Sequence, residues 1–350
     1  MKTILFTGGG SAGHVVPNLA IMNEIRYSHR VLYLGTGGIE RSLVTEAGYP
    51  FFEIECPKLI RSLTLKNLTI PSRLRKAKKA AMQILEREKP DLVFSKGGFV
   101  SYPTVCAAYK LGIPALTHES DLSAGLTTKL IAKKCERVLT SFPETAKLFK
   151  GGEYVGSPIR KEILRGERTR AKRKFSLSEK PTLLVLGGGS GSKAINDAVR
   201  ANLKKLLNRF DILHLTGKDN LIKCDSEGYV QREFEKDMGS CYAAADLVVC
   251  RAGSNTLFEL LALKKPSLLI PLKKGSRGDQ IENALYFEQK GLCRVLYEED
   301  LGDLFKAVTA LFEDDKLKNA LETAHYENGL NHILDLIEKY SQDHSLGARE

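Results

Sequence analysis

The chain of 350 residues has no apolar run approaching the roughly 18 residues that span a bilayer. It also has no Cys-x-x-Cys pair: its seven cysteines are scattered and odd in number. That spacing fits neither a disulfide framework nor a structural zinc site, and it leads us to expect a reducing compartment. The start, Met1-Lys2-Thr3-Ile4-Leu5-Phe6-Thr7, runs straight into a strand-like segment and a glycine turn. It shows no signal-peptide core, so a cytosolic chain is expected. Between Lys58 and Lys79 no carboxylate occurs, while eight Lys or Arg do. No short-period repeat or long low-complexity tract is visible.

What is present is ordinary globular material, with 43% hydrophobic residues and a formal charge of +11. The length favours two cores over one. The charge favours an anionic partner without choosing among nucleic acid, anionic lipid and a phosphorylated substrate. Nucleic acid is not expected as a partner, because the basic stretch has no interleaved aromatics and no known binding motif is found.

Short apolar runs alternate with helix-like lengths. Residues 3–7, 31–34, 92–94, 115–117 and 138–140 read as strands in the first half. In the second half 182–186, 212–215, 247–250 and 267–270 do. Continuously apolar strands separated by helices indicate buried parallel sheets with crossover connections. The pattern restarts: Gly8-Gly9-Gly10-Ser11-Ala12-Gly13 follows the first strand, and Gly187-Gly188-Gly189-Ser190-Gly191-Ser192 follows the strand 182–186. The expectation is an α/β chain of two Rossmann-like domains facing across a cleft. Residues 1–158 form the first and 159–335 the second, followed by a helix end and tail over 336–350.

Glycines at a strand-to-helix turn permit positive φ and a close backbone approach, and the following helix start favours anions. Gly8-x-Gly10-x-x-Gly13 matches the dinucleotide fingerprint. That fingerprint expects an acid about 20 residues on, at the end of the second strand. Here the strand ends Tyr33-Leu34-Gly35-Thr36-Gly37, without a carboxylate, and the second half reads Leu213-His214-Leu215-Thr216-Gly217. Gly187–Lys193 is not a P-loop, since Ser192 stands in the glycine place before Lys193. A tight turn without a ligand is the alternative at both positions.

Several segments together resemble the MurG family of glycosyltransferases. They are Gly9-Gly10-Ser11-Ala12-Gly13-His14-Val15-Val16-Pro17, Ser95-Lys96-Gly97-Gly98-Phe99-Val100-Ser101-Tyr102-Pro103, and His118-Glu119-Ser120-Asp121. Gly187–Asn196, Arg251-Ala252-Gly253-Ser254-Asn255-Thr256 and Asp279-Gln280-Ile281-Glu282-Asn283-Ala284 complete the series. The match runs in order from about residue 3 to about residue 335. It implies a GT-B fold with the acceptor domain first and the nucleotide-sugar domain second. The implied reaction is inverting transfer of N-acetylglucosamine from UDP-GlcNAc to undecaprenyl-pyrophosphoryl-MurNAc-pentapeptide (lipid I), giving lipid II. The resemblance also implies a peripheral position at the cytoplasmic face of the bacterial cell membrane.

On this resemblance His14 is the base candidate, because an imidazole can accept a proton near neutral pH; ordering the loop or binding a phosphate are its other readings. His118 and Glu119 orient acceptor or catalytic groups, or hold their loop. Gly10, Gly97 and Gly98 offer amides to the lipid pyrophosphate, with Ser101 as a further donor. Leu59, Ile60, Arg61, Leu63, Arg73, Leu74, Arg75, Lys76, Lys78 and Lys79 suit an anionic headgroup surface, or a solvated helix face.

For the donor, the resemblance points to Ser11, Ala12, Gly13, Asp121, Arg160, Gly189, Ser190, Arg251, Ser254, Asn255 and Thr256. Glu259 is expected to accept from the ribose diol, or is an acid favourably placed near a helix start; Gln280 and Asn283 are expected to meet sugar hydroxyls, or cap their helix; and Phe234 with the Glu235 backbone is expected to hold uracil. Ser120-Asp121 replaces a common Gln-Asn pair, Gly189 a frequent serine and Ser11 a frequent threonine. No Asp-x-Asp pair occurs, so no cofactor and no essential metal are expected, and two helix starts would stabilise the departing UDP. Competing readings are a related glycolipid synthase, a UDP-GlcNAc epimerase, and a non-catalytic nucleotide-sugar-binding membrane scaffold.

Overall fold

The structure is a computed structural model that describes residues 1–57, 69–189, 191–273 and 278–342. The chain divides into two compact units, Met1–Ile159 with Glu327–Glu350, and Arg160–Tyr326.

The first unit is built on a seven-stranded parallel sheet. Its strands are β1 (Thr3–Thr7), β2 (Arg30–Gly35), β3 (Phe51–Glu53), β4 (Leu92–Ser95), β5 (Ala115–Glu119), β6 (Arg137–Thr140) and β7 (Gly152–Tyr154), in the order β3-β2-β1-β4-β5-β6-β7. The second unit carries β8 (Thr182–Leu186), β9 (Asp211–Leu215), β10 (Tyr229–Arg232), β11 (Leu247–Cys250), β12 (Ser267–Leu269) and β13 (Arg294–Val295). They form a parallel sheet in the order β10-β9-β8-β11-β12-β13.

Side chains alternate across a strand, so a sheet covered on both faces favours apolar residues at successive positions. Strand β1 shows this directly. Ile4 and Phe6 pack in one layer with Val15, Ile21 and Met22 of the helix Ala12–Ile25. Leu5 points to the other layer, with Ala81 and Leu85 of the helix Ile70–Glu88. Each such side chain contributes roughly 1.5–3 kcal/mol when fully buried.

The terminal helix Leu330–Gln342 departs from the expected division. The boundary drawn at 335/336 cuts through it, and 327–335 were assigned to the second domain. The structure puts the helix with the first unit, because Leu330, Ile333, Leu336 and Ile337 join Ile4, Phe6 and Ile21 in one core layer. Helical spacing marks an apolar face but not the core that covers it.

In each sheet the connection reverses direction beside the first strand, so β1 pairs with β4 and β8 with β11. Open α/β sheets bind ligands outside the carboxyl ends of strands at such switch points. The loops after β1 and β4, and those after β8 and β11, are therefore neighbours within their own units. Among the described residues, no helix is long and apolar enough to cross a membrane.

Candidate functional site

After β1 the chain turns through Gly8–Ser11 into the helix Ala12–Ile25. Ser11 is exposed, has extended backbone and makes no capping bond with its side chain, and Ala12 and Gly13 form the first helical turn. The Gly10 amide does not point outward as the pyrophosphate reading requires. It donates to Glu40 Oε1 at 2.6 Å. The acid sits in the first turn of the helix Ile39–Glu46, just beyond the strand end where the sequence shows no carboxylate.

His14 is partly buried in the first turn, with Nδ1 3.0 Å from the Lys96 carbonyl oxygen. A carbonyl can only accept, so Nδ1 carries the proton, and the lone pair of the neutral ring lies on Nε2. That is the tautomer a base needs.

His118 and Glu119, at the end of β5, have different surroundings. Nε2 of His118 donates to the Gly156 carbonyl at 3.0 Å, and Nδ1 lies 2.6 Å from the Lys96 ammonium. The ring is fully buried, and burial together with the Lys96 charge holds its pKa well below the usual imidazole value. With both nitrogens committed, it is a positioning group rather than a proton acceptor. The Glu119 carboxylate accepts from Thr128 Oγ1 at 2.6 Å, the Gly125 amide at 2.8 Å and the Asp121 amide at 3.3 Å. Its oxygens fasten residues 121–128 and are not presented to a substrate. These contacts give both residues the loop-holding role that stands beside the catalytic one in the sequence reading. Asp121 lies partly buried in this turn.

The loop after β4 is also more occupied than its glycines suggest. The Gly97 amide donates to Ser95 Oγ at 3.2 Å. Ser101, fully buried, donates its hydroxyl to the Gly97 carbonyl at 2.7 Å, so it is not a pyrophosphate donor here. Gly98 has φ +79, and a Cβ there would overlap the Gly9 carbonyl. The Gly98 amide, alone of this set, has no protein acceptor among the described residues.

On the helix Ile70–Glu88, Ala77, Ala81 and Leu85 are buried, while Arg73, Arg75, Lys76 and Lys79 are exposed. Leu74 and Lys78 are half-buried. Leu59, Ile60, Arg61 and Leu63 lie outside the described residues.

In the second unit, Ser192 caps its helix, accepting from the Ile195 amide at 3.4 Å. It also accepts from Arg251 Nη2 at 2.7 Å. Arg251 was expected to cradle the diphosphate, yet its guanidinium is committed within the fold. Nη2 also pairs with Glu298 at 2.5 Å, and Nη1 donates to the Ile270 carbonyl at 3.1 Å. It ties the glycine loop to the ends of β11 and β12.

The two helix starts thus differ. The helix Lys193–Ala201 is capped by its own serine, whereas Ser254–Ala262 begins after Gly253 and has no side-chain cap. Ser254 is buried there, and Asn255 and Thr256 are partly buried. A helix start is the geometry that receives anions, and at this one no side chain caps the first turn among the described residues. Gly189 is exposed, and Ser190 lies outside the described residues.

Glu259 lies on the same helix. It accepts from the Tyr242 hydroxyl at 2.9 Å and stands 3.8 Å from Arg160 Nη2. Burial raises its pKa, opposed by Arg160 and by Tyr242. Arg160 Nε is buried without a partner among the described residues, so this pair is incompletely satisfied. Gln280 accepts the Leu272 amide at 3.0 Å through Oε1, which places its amide group as a donor. Asn283 is fully buried. Phe234 is 61% exposed. The Glu235 carboxylate is held by Lys174 at 3.3 Å and the Asp237 amide at 2.9 Å.

The sequence reading passed over four groups. Lys96 was quoted for its glycine neighbours, although a lysine directly after an apolar strand is itself a signal. Glu40 stands beyond the strand position inspected for an acid. Tyr242 gave no local signal. His214 sits inside a strand, fully buried between Tyr229 at 2.9 Å and Asn196 at 3.0 Å. Among the described residues, no cluster of His, Cys, Asp and Glu could hold a metal ion.

Two family models match the chain: the glycosyltransferase family 28 N-terminal domain over residues 4–140 and its C-terminal domain over 182–337. A Clostridium botulinum protein named UDP-N-acetylglucosamine–N-acetylmuramyl-(pentapeptide) pyrophosphoryl-undecaprenol N-acetylglucosamine transferase is 45% identical, over 98% of this chain and 100% of its own. A Clostridium tetani protein of the same name is 42% identical over 97% of this chain and 98% of its own. Among solved structures, Acinetobacter baumannii MurG superposes with a TM-score of 0.73 at 26% identity, covering 97% of this chain and 100% of that one. Staphylococcus aureus MnaA, in a co-structure with UDP, shares the fold at a TM-score of 0.69 and 13% identity, covering 100% of both chains.

Proposed function

Because the chain belongs to glycosyltransferase family 28, we propose that it transfers N-acetylglucosamine from UDP-GlcNAc to the muramyl sugar of undecaprenyl-pyrophosphoryl-MurNAc-pentapeptide, forming the β-1,4 link of lipid II. The observation that carries this reading is the tautomer of His14, fixed by the Lys96 carbonyl at a loop where open α/β sheets receive ligands.

In this mechanism Nε2 of His14 takes the proton of the acceptor hydroxyl as that oxygen attacks the anomeric carbon. The bond from that carbon to the diphosphate breaks with inversion, and the electron pair leaves on UDP. The amides at the start of Ser254–Ala262 receive the diphosphate charge, with the incompletely paired Arg160 nearby in the second unit. Glu259 accepts from the ribose diol, and Gln280 donates to the sugar. Phe234, exposed, covers the base. A metal is not required for departure of the nucleotide in this scheme, which rests on the lack of an Asp-x-Asp pair and on the uncapped helix start.

The acceptor is carried by a lipid, and the exposed Arg73, Arg75, Lys76 and Lys79 suit an anionic headgroup layer at about 1 kcal/mol each. We place the enzyme peripherally at the cytoplasmic face of the membrane. The test is transfer of labelled GlcNAc from UDP-GlcNAc to a lipid I analogue, with and without chelator. Transfer that survives chelation, falls roughly 10²–10⁴-fold in His14→Ala and leaves donor affinity intact is expected. A strict divalent requirement, or full activity of His14→Ala, overturns the mechanism.

A further inference from the structure

Glu40 is the least expected group in the first unit. Its side chain is buried at 2% exposure, and its two oxygens accept from different segments of backbone. Oε1 takes the Gly10 amide at 2.6 Å, and Oε2 takes the Thr36 amide at 2.8 Å. The Thr36 hydroxyl donates to both oxygens, at 3.2 and 3.3 Å. All of its hydrogen-bond contacts among the described residues are to neutral donors.

The fold is shaped around this side chain. A Cβ at Gly9 would overlap the carboxylate, and one at Gly35 would come within 2.6 Å of Oε2. At Gly9 the acid alone fills the space that a side chain would need, and at Gly35 it does so together with the Phe51 ring. The Gly10 amide, in a backbone with φ +95, is thereby turned toward a carboxylate instead of toward a ligand.

A strand-to-helix glycine turn of this kind ordinarily receives a phosphate. Here the Gly10 amide already has an anionic acceptor, and a second anion brought beside it would meet like-charge repulsion in a partly buried site. We propose that Glu40 is a positioning and specificity-determining residue. It fixes the first glycine loop and bars phosphate from it, so the group received beside Gly10 is uncharged, a hydroxyl or an amide. This deepens the acceptor assignment above. The uncharged sugar portion lies at the first glycine loop, and the pyrophosphate is left to the Gly98 amide.

The test uses inorganic pyrophosphate alone on the full chain with isotope-labelled glycine, read by amide resonances. It is therefore independent of whether transfer to lipid I occurs. In the wild-type protein pyrophosphate leaves the Gly10 resonance unmoved. In Glu40→Gln it shifts Gly10 and binds at least about tenfold more tightly. Glu40→Asp, which keeps the charge, behaves toward pyrophosphate as the wild type does. A pyrophosphate-dependent shift of Gly10 in the wild-type protein overturns the proposal whether or not either variant folds. So does a natively folded Glu40→Gln with no gain in affinity.

Discussion

The Lys96 ammonium lies 2.6 Å from Nδ1 of His118, and both side chains are sealed from solvent. Lys96 also reaches the Ser120 hydroxyl, while its own carbonyl orients His14. One residue therefore fixes the His14 ring, the base proposed above, on one side and the turn after β5 on the other.

Burial drives the Lys96 pKa down from 10.5 to about 8, with Glu119 and Asp121 opposing the shift. The folded protein then gives up this proton before the unfolded chain does. Between pH 8 and 10.5 the unfolded state binds more protons, so stability gains with rising pH across that window. Lys96→Met removes this gain. Denaturant midpoints at pH 8 and pH 10, compared between wild type and variant, check it. Equal slopes for the two proteins would refute it.

Replacing Glu119 separates holding from catalysis. Glu119→Gln turns one acceptor oxygen into a donor, facing either the Thr128 hydroxyl and the Gly125 amide, which share Oε2, or the Asp121 amide at Oε1. The expected loss is about 1–3 kcal/mol of stability, with protease sensitivity increased in residues 120–126. The pH profile of transfer keeps its shape. A displaced basic or acidic limb at unchanged stability would restore a catalytic role.

Arg251→Lys keeps the charge but cannot reproduce the fork joining Ser192, Glu298 and Ile270. Its main effect should be structural, roughly 1–3 kcal/mol in unfolding free energy, with a smaller change in UDP affinity. Calorimetric titration of UDP beside a thermal melt distinguishes the two. A large loss of UDP affinity with an unchanged melt would return Arg251 to the diphosphate.

His214, buried between Tyr229 and Asn196, has its pKa pushed down to about 3 by burial, with Arg200 adding. Its folded value lies below the ordinary 6.5, so as pH falls from 6.5 toward 3 the unfolded chain takes up the proton first and stability is lost. At pH 4.5 this amounts to roughly 2–3 kcal/mol. His214→Gln should flatten that acid limb. An acid limb as steep as in the wild-type protein would show that other groups carry it.

Much of the architecture can be read along the chain, because a strand buried on both faces is apolar at most positions, and a strand-to-helix turn with little room needs glycine. Residues 3–7 and 182–186 announced themselves in this way, as did the restart at Gly187. His14, in the first turn after a glycine loop, needed only local order to be singled out. The placement of 327–335 did not follow, since Leu330 and Ile333 carry no mark of the sheet they cover.

The sequence alone determines that this protein has two Rossmann-like units and which family it belongs to, because strand, turn and helix signals act over a few residues. Only the tertiary structure decides which polar groups remain available for a ligand. Glu40 consumes the Gly10 amide, Ser192 and Glu298 consume Arg251, and Gly156 and Lys96 consume both nitrogens of His118. Leaving a buried donor or acceptor unpaired is costly, so most take whichever partner the fold brings near, and that partner is often far away in the chain.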